Sequence, residues 1–162
     1  MIVVSDASPI INLAIINQLG LLPLLFGKVV IPRNVFDEVV VEGVGLPGAR
    51  DIGQAEWVEV MQCQDQLLYQ SLHLKLDPGE AEAIVLAIEI KADLLLMDEK
   101  MGRQFAADLH VPVMGLLGAL RVAKSKGFIT AIKPCLDRLI HGANFRVGKN
   151  LYREILEAEG EN

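Results

Sequence analysis

Cysteine, histidine and aromatic side chains are all scarce in this chain. The two cysteines, Cys63 and Cys135, are too few for a disulfide framework and fit no zinc spacing. A reducing cytosol is the compartment expected from that usage. His73, His110 and His141 are scattered, without the paired spacing a zinc site needs. Aromatics make up 5% of a chain that is 52% hydrophobic, so its core must be aliphatic, as in α/β layers. A glycine-rich phosphate loop and a serine-hydrolase elbow are both missing. No basic segment precedes the first apolar residues, so no secretory signal is expected. Residues 7–27 carry no charge, but Asn12, Asn17, Gln18, Gly20 and Pro23 interrupt them, and no membrane span is expected.

Positive charge is scarce in one part of the chain only. Residues 1–120 hold seven Lys and Arg against 16 Asp and Glu, net −9. Residues 121–153 hold eight basic residues against Asp137 alone, net +7, and the last nine residues are net −4. An acidic body with a basic C-terminal part suits a metal site beside a phosphate-backbone track; solvated helix faces explain the same pattern. The 162 residues suit one domain, with 1–120 as an α/β core and 121–162 as a basic helical extension.

Short apolar runs at 2–5, 28–31, 94–97 and 111–114 read as strands, with a further short strand at 57–60. Pro112 places the last of these at a sheet edge. Helices are predicted over 8–18, 32–41, 64–72, from Asp77 to about 90, and over 100–109, 115–126, 130–141 (capped by Thr130) and 149–159. Leu21 to Phe26 reads as a connection bent at Pro23, and Gly43 to Gly48 as a loop. Alternating strands and helices predict a three-layer α/β/α fold on a central parallel sheet, with extra C-terminal helices. The 21–26 stretch is more apolar than a connection needs, which predicts a homodimer or larger assembly.

Acids stand where two of these strands end. Asp6 follows Ile2-Val3-Val4, and Asp98-Glu99 follows Leu94-Leu95-Leu96-Met97. Ligands of open α/β sheets bind at the carboxyl ends of strands. Two like charges about 4 Å apart cost roughly 4 kcal/mol at an effective dielectric near 20, and a bound cation removes that cost. Asp6 is also placed to cap the next helix, although Ser8 can do so instead. Asn12 shares a helix face with Ser8 and reads either as support for the site or as a satisfied core amide. Asp37 and Glu38 point about 100° apart, so at most one of the two faces the sheet, and a solvated helix face explains either equally well. Glu80 completes a capping box with Asp77 yet shares a stripe with Ile84 and Ala87. Glu82 reads as solvated and Asp77 as a cap. Arg103 can reach a phosphate or Asp98.

Five stretches in order, VVSDASPIINL, IPRNVFDEV, LDPGEAEAIVLA, LLLMDEKMGRQFA and VPVMGLLGAL, resemble the PIN-domain nucleases. The tail ANFRVGKNLYREIL is similar to a prokaryotic branch found beside small antitoxin-like proteins. The resemblance implies a catalytic set of Asp6, Glu38, Glu80 and Asp98, with Mg²⁺ or Mn²⁺ on Asp6, Glu80, Asp98 and Glu99. It also implies an endoribonuclease acting on single-stranded RNA, the toxin of a toxin–antitoxin pair, with a small antitoxin as partner. Glu80 is Glu where many relatives carry Asp, which lengthens that ligand. Ser8, Asn12 and Arg103 are expected beside the reacting groups. Lys124, Lys126, Arg146 and Lys149 are expected on the RNA backbone. Two other readings exist: a phosphoacceptor receiver domain, from LLLMDEKM and the Lys133-Pro134 pair, and a non-cleaving RNA-binding or regulatory module on the same fold.

Overall fold

A computed structural model describes residues 1–162. Five strands form the sheet: β1 (Val3–Ser5), β2 (Val29–Pro32), β3 (Val58–Met61), β4 (Leu94–Leu96) and β5 (Val113–Met114). Every pairing is parallel, in the order β3-β2-β1-β4-β5. The strands are short and rich in Val, Ile and Leu because both faces are covered. Their residues alternate between two cores. Val3, Val29, Ile31 and Leu96 face one, while Val4, Val30, Leu95 and Met97 face the other. The order reverses between β1 and β4, and Ser5 lies opposite Leu96. That is the switch point at which a doubly wound sheet opens a crevice beyond its strand ends. Asp6 and Asp98 leave these two neighbouring strands at the same edge.

The first core is covered by α1 (Ala7–Ile15), α2 (Leu21–Phe26), α8 (Leu116–Ser125), α9 (Lys133–Gly142) and α10 (Lys149–Ala158). Helices α5 (Gln66–His73), α6 (Pro78–Glu89) and α7 (Lys100–Asp108) cover the second. Between β2 and β3 the chain forms α3 (Arg33–Phe36), a π-helical segment (Asp37–Glu42) and α4 (Ala49–Gln54). No helix is long and apolar enough to cross a membrane.

Several expectations change. Leu21 to Phe26 is helix, not connection. Leu21 and Leu22 are buried, while Leu25 and Phe26 pack on the core, which accounts for the apolar excess without a partner chain. A short helix, α4, follows the expected glycine loop. Thr130 does not cap α9. The amides of Ile132 and Lys133 instead donate to Glu161, at 2.8 and 2.9 Å. In α6 every residue from Gly79 to Ala87 is buried, so Glu82 lies inside and Ile88 at the surface, the reverse of the periodic reading. Glu82 accepts from the Asn34 amide (2.8 Å), the Asn34 side chain (3.0 Å) and the Cys63 amide (3.1 Å). It thereby ties α6 to the start of α3 and to the end of β3.

Candidate active site

Asp6 is 3% exposed, and its amide donates to the Leu96 carbonyl at 2.9 Å. This bond fixes the exit of β1 against the end of β4. Asp6 stands at the N-cap position of α1, but its carboxylate makes no capping bond. Burial pushes its pKa up to about 8. The Ala7 amide opposes this, and the charges of Asp77, Glu80 and Glu38 add to it. The acids are brought close by Gly79. A Cβ there would lie 3.4 Å from Asp6 Oδ1 and 3.3 Å from Val35, so the missing side chain lets the entrance of α6 settle over the end of β1.

That entrance carries Asp77 and Glu80 in a reciprocal capping box. The Glu80 amide donates to Asp77 Oδ1 at 2.7 Å, and the Asp77 amide donates to Glu80 Oε2 at 3.1 Å. Glu80 is 8% exposed. Burial raises its pKa against the pull of the Asp77 amide, with Asp77, Glu99 and Glu38 adding to the rise. Capping and facing the site are thus compatible for this residue. Asp37 pairs with Arg33 at 3.3 Å, whereas Glu38 faces the acidic cavity. Burial, then Asp77 and Glu42, raise the pKa of Glu38.

Asp98 has a different environment. Its Oδ1 accepts from the Leu116 amide at 2.8 Å, and its Oδ2 is buried without any partner. Burial raises its pKa and Glu99 adds to this, while the Leu116 amide and Arg103 oppose it. Gly115 makes this arrangement fit. A Cβ there would lie 3.1 Å from both Asp98 Oδ1 and an Arg103 nitrogen.

Two adjoining cavities result. An acidic one of about 410 Å³ is lined by Asp6, Glu38, Asp77, Glu80 and Glu99. A larger one of about 790 Å³ holds Asp98, Arg103 and Arg146. Ser8, Asn12 and Glu99 line both. Asn12 Nδ2 donates to Ser8 Oγ at 3.5 Å on this shared wall. The expected acids therefore gather around two chambers, with Asp98 on the second.

A family model, DUF3368, described as a PIN domain, matches residues 2–161. The chain belongs to this PIN-domain family. No curated protein matches it. PIN domains are generally nucleases and generally use divalent metals, and the site suits such an ion in two respects. The cavity donors are all oxygens, the ligands of hard cations. Asp98 Oδ2 is a buried acceptor without a donor, and the charge at Asp6 is opposed by three other acids. No three His, Cys, Asp or Glu side chains cluster tightly enough to enclose an ion.

The residues expected on an RNA backbone have different surroundings within this PIN domain. Lys124 bonds to Glu161 Oε2 at 2.7 Å and to the Glu159 carbonyl at 2.5 Å, so it is tied to the C-terminal tail, and it lines neither chamber. Lys126 and Lys149 are exposed, but neither lines the two chambers. Arg146 does. Lys133-Pro134 opens α9 with no strand before it, and Lys133 pairs with Asp137 at 3.1 Å, so the receiver arrangement is absent. The sequence reading missed Asp77 as a cavity acid and Glu82 as a buried clamp. A pattern such as D-P-G-E suggests the first, because the cap side chain and Glu80 share one helix entrance.

Proposed function

We propose that this PIN domain hydrolyses phosphodiester bonds of single-stranded RNA with Mg²⁺ or Mn²⁺. The observation that carries the reading is the convergence of Asp6, Glu38, Asp77, Glu80 and Glu99 on one cavity at the β1/β4 switch point, with Asp98 next to it. Asp6, Glu80, Asp98 and Glu99 are the residues assigned to metal binding, no more than two on any one ion, with waters and the substrate phosphate completing its shell. A bound divalent ion supplies a more acidic water and neutralises charge developing on the phosphate. Asp6 and Asp98 leave rigid strands and fix the position of the site. Asp98 Oδ2 offers an unshared acceptor. Glu38, with its raised pKa, is assigned to accept the proton of the attacking water. Ser8 and Asn12, on the shared wall, orient the substrate between the chambers.

Family membership also motivates a wider proposal: a cytoplasmic toxin whose small antitoxin partner covers the acidic cavity. A homodimer is proposed on the mean hydropathy of +0.38 alone, and sedimentation equilibrium checks it. The direct experiment for the activity is cleavage of single-stranded RNA by purified protein in Mn²⁺ and again with excess EDTA. Cleavage that disappears with EDTA is expected. Intact RNA in both buffers, with the protein folded, turns the reading to a non-cleaving RNA-binding module.

A further inference from the structure

The larger chamber is not explained by metal binding. Its 790 Å³ falls within the roughly 300–1,000 Å³ typical of small-ligand sites. It adjoins the acidic cavity, sharing the wall of Ser8, Asn12 and Glu99. Unlike the acidic cavity it carries cations, Arg103 from α7 and Arg146 from the segment after α9, and an aromatic ring, Phe145. Asn144 adopts φ +52°, a left-handed turn tolerated by Asn. The next amide, of Phe145, donates to the Leu139 carbonyl at 3.1 Å. Phe145 is half-buried against the first core, so its ring is held while part of it faces the chamber. A seated ring beside two guanidinium groups is the composition of a single-stranded nucleotide site, with stacking for the base and charge for the backbone.

We infer that this chamber is a nucleotide subsite for the residue flanking the scissile phosphate, with the base stacked on Phe145 and a phosphate held by Arg103 and Arg146. The inference rests on the nuclease reading for its substrate class. It adds a specific consequence: one unpaired base beside the cut is bound, so paired RNA is excluded there. Arg146 becomes a substrate contact, and the 143–146 segment becomes part of the site.

The test is an abasic scan read by binding. A short fluorescent single-stranded RNA is titrated in Ca²⁺, with gels confirming that it stays intact, and each nucleotide in turn is made abasic. Wild type should show one position at which the missing base weakens binding about tenfold, the scale of one lost stack. In Phe145→Ala that positional penalty should vanish, and in Phe145→Trp it should return. Arg146→Ala should weaken binding of every oligonucleotide and lessen the salt dependence. A flat scan in wild type, or an unchanged penalty in Phe145→Ala, overturns the subsite, as does the absence of RNA binding. Cleavage with a flat scan leaves the nuclease reading standing alone. A positional penalty without cleavage in Mn²⁺ supports base binding on Phe145 but overturns the nuclease reading and, with it, the place of the base beside a cut.

Discussion

Glu82 and Asp6 are both buried carboxylates, and their neighbours give them opposite roles. Glu82 receives three hydrogen bonds from Asn34 and Cys63, so its charge is compensated. Asp6 faces other acids. Glu82→Gln would place an amide donor against the donors that Glu82 now accepts from. The expected cost is about 1–3 kcal/mol of stability, read as a fall in Tm by differential scanning calorimetry. An unchanged Tm would mean that the clamp contributes nothing. Asp6 binds its proton more tightly in the folded chain, near 8, than at its ordinary value of 3.8. At this group the folded, metal-free protein binds more protons than the unfolded chain between these values, so the contribution of Asp6 to stability is greatest below about pH 4 and is lost as pH rises towards 8. Asp6→Asn removes this contribution. In EDTA the Tm of Asp6→Asn minus that of wild type should grow from pH 5 to pH 8, and a constant difference would show that burial at Asp6 is not opposed in this way.

Among the elements, the C-terminal tail is the clearest case of a long-range constraint. Glu161 accepts from Lys124 and from the amides that begin α9. Burial alone would raise its pKa, but these donors outweigh it and hold the value below the ordinary 4.5. The stabilisation is present above that pH and lost as pH falls through the depressed value. Glu161→Gln should therefore lower Tm more at pH 7 than in acid below 4.5, the gap narrowing as pH falls; an equal loss throughout would rule out a charge-dependent clamp. The same contrast separates what was legible in the sequence from what was not. Buried strands announce themselves through runs such as Leu94-Leu95-Leu96-Met97, and the acids after them mark the sheet edge. Helix α2 was hidden because Pro23 reads as a bend, although Pro is tolerated within a helix's first turn. The start of α9 was hidden because its cap comes from Glu161, outside any local window. Glu82 was misplaced because α6 is buried all round, so periodicity could not say which side faced water. Glu38 over Asp37 was undecidable locally, since the Arg33 pair and the π-helical turn settle it together.

Across the whole molecule, residues 121–162 are built into the core that holds the site. Ile132, Cys135, Leu136, Leu139 and Ile155 pack in the same cluster as Ile10, Leu13 and Leu120. We propose that residues 1–162 act as one unit. Truncation after Gly127 should leave that face of the sheet uncovered and abolish a cooperative melt; a folded, cleaving fragment would instead make the C-terminal helices an accessory. Several of their cations are paired, as Arg121 is with Glu159 and Lys133 with Asp137, whereas Arg146 lines the larger chamber together with Arg103 of α7. The central claim is that this acidic edge holds the ion that cuts RNA. Its most direct measurement is the initial rate of single-stranded RNA cleavage by wild type and Asp98→Asn at equal Mn²⁺, with metal-free Tm recorded for both. Asn at 98 keeps the Oδ1 acceptor for the Leu116 amide and replaces the orphaned Oδ2 by an uncharged amide nitrogen, which cannot bind a cation. The account predicts a loss of at least about a hundredfold, the scale of a supporting metal contact or more, with a Tm equal to or above wild type. Wild-type cleavage by Asp98→Asn would contradict it.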